Sequence, residues 1–101
     1  MSIEAINILL DRAPNETTVK KIYRIAGEIN GVLEVHGLRV RVVGDYIIGD
    51  LHVLVDPDLT VAEGHNICEM VSEKLEKELK ARITIHLEPY DEANRLNNSN
   101  R

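Results

Sequence analysis

Four histidines and one glutamate carry the residue types and spacings that could do chemistry. His52 sits in the run GDLHVLVDPD, where Leu51, Val53 and Val55 read as core residues, so strand alternation sends His52 to the opposite face with Asp50. His86 and Glu88 stand two residues apart in RITIHLE and share one face of a further strand. His65 lies near the start of an amphipathic stretch, with Cys68 three and Glu69 four residues on, within reach of the same helical face. His36 opens HGLRVRVV. Imidazole and carboxylate together suit Zn²⁺ and other first-row divalent cations. The competing explanation is plain: solvated surface histidines, a His36 that only caps a hairpin end, and a Cys68 that is a small core residue.

Parity sharpens the choice. His36 has the same parity as Leu38, Val40 and Val42, which read as core, whereas His52 and His86 point to the other face. A flat sheet cannot gather these residues with His65; a sheet edge, a bulge or a second chain is needed. The pattern therefore favours a rim or interface site over a closed cage.

The elements that must position these residues centre on Leu33–Asp58. Two runs rich in Val, Ile and Leu flank Gly44-Asp45, the signature of a β-hairpin, and pairing about that turn brings His36 and His52 to the same end. Before the hairpin, Val19, Ile22, Ala26 and Ile29 make a helical stripe over Asn15–Asn30, opened by Asn15 or Thr17 and stopped by Gly31. After it, Asp56-Pro57-Asp58 makes a turn. Thr60 and Glu63 then form a capping box ahead of a helix with Val61, Gly64, Ile67, Val71, Leu75 and Leu79 inward. Arg82–Glu88 alternates as a strand that Pro89 ends. Ser2–Leu10 reads as a short helix leading to a turn at Asp11–Pro14, and the Asn-rich stretch 93–101 as disordered. The expected fold is α+β: a short N-terminal helix, then a two-layer ferredoxin-like αββαβ sandwich with the last strand beside a hairpin arm. Residues 1–14 form the leading helix and linker, 15–92 the folded domain, and 93–101 the tail.

Composition excludes several classes. With 17 acidic and 12 basic residues the formal charge is −5, which repels a phosphate backbone and argues against nucleic acid. The balance suits cations. Aromatics are 3%, so the core must be aliphatic. The longest early apolar run, Ile8–Leu10, falls far short of the ~20 residues a bilayer span needs, so no direct membrane insertion is expected. No leader pattern precedes it, and one cysteine fits a reducing compartment. No nucleophile elbow, phosphate loop, CxxC or HExxH is present, so an enzyme is not expected.

The runs VLEVHGLRVR, GDLHVLVDPDLTVAEGHNICEMVSEKLEKEL and ITIHLEPYDE, in that order and spacing, resemble the cytoplasmic C-terminal domain of cation diffusion facilitator transporters over roughly Asp11–Glu92. LLDRAP is similar to the segment that follows the family's last membrane helix. The resemblance implies a cytoplasmic, homodimeric, non-enzymatic domain that binds Zn²⁺ or a related divalent cation and partners a transmembrane domain. Carried over position by position, the implied metal ligands are His36, His52, His65, His86 and Glu88; Cys68 is spare or an extra soft ligand, and Asp11 matches an acid that contacts the membrane domain. Two departures stand out: Gly37, where the family often has Asp, and Glu88, where Asp is common. The leading functional expectation is a regulatory metal-sensing domain of an efflux transporter. The alternatives are a free-standing metal buffer or chaperone, or a plain dimerisation module of the same fold.

Overall fold

A computed structural model describes residues 11–91 of the chain. The element order is β1 (Asp11–Arg12), α1 (Glu16–Gly27), β2 (Glu34–Val43), β3 (Tyr46–Val55), α2 (Val61–Leu79) and β4 (Ala81–Pro89). One sheet runs β1-β2-β3-β4, with β2 and β3 antiparallel and β4 parallel to β3 after the α2 crossover. The α+β, ferredoxin-like αββαβ arrangement is the one the sequence implies.

Local chemistry explains the boundaries. Asn15 caps α1, its Oδ1 accepting from the Thr18 N–H at 2.8 Å. Helix α1 ends at Gly27, three residues short of the expected Asn30, and the chain unwinds through turns to Gly31 at φ 99°. Thr60 and Glu63 form both arms of the capping box, at 2.9 and 3.1 Å. Between the strand and that cap, the Asp56 side chain accepts from the Asp58 N–H, the local turn that Asp-Pro-Asp predicts. The β2–β3 reversal is two residues long, with Gly44 at φ 61°, a conformation that glycine adopts without steric cost.

The core lies between the helices and one face of the sheet. Ile22, Ile25 and Ala26 of α1 and Gly64, Ile67, Val71 and Leu75 of α2 are buried against Val42, Ile47, Leu51, Val53, Val55, Ala81 and Ile83. It is aliphatic, as composition requires, and among the described residues no polar or charged side chain is fully buried within it. Dry burial of this kind contributes about 25 cal/mol per Å² of apolar surface.

Three expectations change. Asp11 and Arg12, read as part of a turn, form a short edge strand paired with Val43 and Val42, so the sheet has four strands. Val61, placed in the α2 stripe, is the first residue of the helix and is 89% exposed, so the buried stripe starts one turn later at Gly64. The third change concerns parity. The β2–β3 register pairs Arg39 with Asp50 but His36 with His52, so Gly37 and Leu38 together oppose Leu51 alone. This is a β-bulge, with Gly37 at φ 67° supplying the left-handed residue. Beyond it, Leu38, Val40 and Val42 keep facing the core, while before it the core-facing residue is Val35. His36 is thereby turned to the outer face with His52. The expectation that His36 shares the core side of Leu38 is corrected by this extra residue. The leading helix over Ser2–Leu10 and the tail at 93–101 lie outside the described residues.

Gly37 does two jobs at the bulge. A Cβ added there meets the His52 ring at 2.8 Å, and the backbone lies where L side chains are strained. Gly37→Ala should therefore cost about 1–2 kcal/mol of stability from the left-handed backbone alone and displace the His52 ring. Urea denaturation of the variant against the parent measures the first effect, and a change in the His52 ring resonances the second.

Candidate metal centre

The bulge, the antiparallel hairpin and the parallel β4 set three histidines side by side. His36 pairs with His52 across β2–β3, and His52 pairs with His86 across β3–β4. Register alone thus makes a row running across the sheet. The rings stack, His36 on His52 at 5.2 Å and 17°, His52 on His86 at 4.7 Å and 20°.

Carboxylates close the row on both sides. Glu88, from the end of β4, accepts from His52 Nδ1 at 2.5 Å and lies 3.3 Å from His36 Nε2. Asp50 lies 3.9 Å from His86 Nε2 and accepts from Arg39 Nε and Nη2 at 3.2 and 3.1 Å. Two overlapping sets of donor atoms result, His36–His52–Glu88 and Asp50–His52–His86, each with its three atoms within 4.8 Å of one another. Two imidazole nitrogens and a carboxylate oxygen match the preferences of Zn²⁺ and similar divalent ions. His36, His52 and Glu88 are partly buried, with side chains 24, 30 and 28% exposed, a setting that orders ligands yet admits an ion.

Of the residues singled out in the sequence, the structure brings together His36, His52, His86 and Glu88. His65 is elsewhere: it follows Gly64 in the second turn of α2, exposed, and pairs its Nε2 with Glu69 Oε1 at 2.6 Å. Cys68 is partly buried in the same helix, and burial pushes its thiol up, away from the thiolate a metal binds. Asp11 lies in β1. Asp50 is the residue missing from the ligand set implied by the sequence; its position two residues before His52, on the same strand face, was the signal.

The electrostatics agree with this arrangement. Burial pushes the Glu88 carboxyl up, but hydrogen bonds from His52 and His36 outweigh it and hold the group below its ordinary value of 4.5. Arg39 holds the Asp50 carboxyl down through its side-chain hydrogen bond, against a smaller opposing effect of burial. A carboxyl whose folded value is depressed adds stability above its unfolded value and loses it as pH falls through the folded one. For Glu88 that contribution is present above pH 4.5 and disappears below it. Glu88→Gln should therefore flatten the loss of metal-free stability on acidification below that point, as read from urea midpoints across an acid pH series; an unchanged acid limb would contradict the assignment.

The cytoplasmic-domain model of cation efflux proteins matches residues 14–90. The chain is 38% identical over 69 residues to the magnetosome protein MamM of Magnetospirillum gryphiswaldense, covering 68% of this chain and 22% of that protein. It is 31% identical over 90 residues to the cation-efflux pump FieF of Shewanella oneidensis, covering 88% and 30%. It thus spans less than a third of the length of these curated relatives. A solved variant of the MamM C-terminal domain superposes with a TM-score of 0.70 at 30% identity, over 77% of this chain and 100% of that one. Nickel and cadmium forms of other MamM variants superpose at 0.64 and 0.63, with 32 and 33% identity, over 75 and 74% of this chain and 96 and 94% of theirs. Among the described residues no helix is long and apolar enough to cross a membrane. Because the match runs through the hairpin, the crossover helix and the last strand that together build the histidine row, the chain belongs to the cytoplasmic domains of cation efflux proteins.

Proposed function

We propose that this chain is the metal-sensing regulatory domain of a zinc-type divalent-cation efflux transporter, working as a homodimer that closes when metal binds. The observation that supports it most is the His36–His52–Glu88 set, three donors from three strands held within 4.8 Å by register rather than by flexible loops. Metal forms of related MamM domains add to it.

The mechanism rests on charge. Each copy carries −5, so a pair brings −10 together, and metal-free copies repel one another. His36, His52 and Glu88 fill one ligand set from a single chain. In this reading His65, on the exposed start of α2, completes the coordination from a second copy, and Asp11 meets the membrane part of the transporter. A bound divalent cation supplies the positive charge that offsets the repulsion, and the closed pair is favoured to the extent that metal binds it more tightly than the open one. The closed shape would then be passed to the membrane helices. Small-angle scattering at saturating Zn²⁺ should show a more compact dimer than the metal-free protein; an identical profile would sink the closure.

Histidine binds metal only as the neutral ring, and the free side chain titrates near pH 6.5, so protons compete with metal. Zn²⁺ affinity measured by calorimetry should fall steeply below about pH 6.5. His52→Ala, which removes the donor common to both sets, should weaken binding at least about tenfold, roughly 1.4 kcal/mol or more. Binding indifferent to both pH and His52 would leave a dimerisation module whose histidines are surface residues.

A further inference from the structure

The two ligand sets share His52, and a neutral imidazole has one lone pair to give, so a single chain can complete only one of them at a time. Their carboxylates are not equally free. Both oxygens of Glu88 face histidine rings alone, His36 at one and His52 at the other. Both oxygens of Asp50 are taken by the Arg39 fork, and Oδ2, the atom facing His86, is the one that accepts from Nη2. A two-point fork of this kind matches a carboxylate better than a lysine could. Arg39 stands directly across the ladder from Asp50, as the first paired residue after the bulge.

We propose that Arg39 is a tethered cation that occupies Asp50 and thereby directs a divalent ion to the His36–His52–Glu88 set, with the Asp50–His52–His86 set as the alternative released when the guanidinium leaves. The inference rests on the metal-binding reading above and adds a positioning residue to it. The Arg39 side chain is 79% exposed, so its guanidinium can leave Asp50 for water readily. An exposed ion pair is weak and salt-sensitive, which makes the fork a bias between sites and not a lock.

The test is a double-mutant cycle read by calorimetry with Zn²⁺ and by the visible spectrum of bound Co²⁺. Arg39→Gln lies on the surface and should fold as the parent does. It should bind Zn²⁺ about threefold more tightly, since Asp50 no longer has to be stripped of a partner. Its Co²⁺ spectrum should differ from the parent's, because a different donor set is filled. In the Asp50→Asn background, Arg39→Gln should change neither the affinity nor the spectrum. Glu88→Gln should weaken binding less when Arg39 is already replaced. Unchanged affinity in Arg39→Gln overturns the inference, and so does an equal gain with Asp50→Asn, which would show a general effect of removing positive charge. A parent chain that takes up neither ion overturns the metal-binding reading beneath it.

Discussion

One extra residue in β2 governs everything the outer face can do. Strand alternation would send His36 into the core side with Leu38, and the hairpin would then present His52 and His86 without it. The bulge at Gly37–Leu38 inverts parity at that point alone, keeping Leu38, Val40 and Val42 on the core and turning His36 outward. The inversion needs a left-handed residue, and Gly37 meets that need at φ 67°. Lacking a Cβ, it also leaves the space beside it that the His52 ring fills. The bulge's own backbone is served from α1, where the Tyr23 hydroxyl lies 3.4 Å from the Leu38 N–H. A defect in the ladder thus becomes the device that assembles the histidine row.

Site and core are separable. Every fully buried large side chain is aliphatic, and the histidine row lies on the opposite face of the sheet from the helices. Replacing a histidine of the row therefore takes nothing from the packing between the sheet and the helices. The polar network is paired within itself: Glu88 between two histidines, Asp50 between Arg39 and His86. In the metal-free domain those pairs hold donors near the places where a cation would draw them, which limits the ordering that binding must do.

Much of this was legible in the residues. The hairpin turn, the capping box, the Asp-Pro-Asp turn and the alternation of β4 each rest on local chemistry, and each stands where the sequence put it. Placing His86 and Glu88 on one face needed only a period of two. The failures were tertiary. The glycine in HGLRV is a local sign of a bulge, but which side chains it turns outward is fixed only by the partner register, so strand parity alone misplaced His36. Asp11 and Arg12 became a strand only because the end of β2 had a free edge to offer. Asp50 was read as a neighbour of His52 and not as a donor, since its nearness to His86 depends on the parallel pairing of β4. His65 was legible as a candidate from its spacing, and within one chain α2 carries it away from the row and pairs it with Glu69.

The central claim is that the bulge brings His36 and His52 to one ion. Histidine-labelled protein titrated with a magnetically active cadmium isotope tests it most directly, through scalar couplings between the metal and imidazole nitrogens. The account predicts one cadmium resonance coupled to ring nitrogens of both His36 and His52, from the set that Glu88 completes. A cadmium resonance coupled to His52 with none to His36 would contradict it.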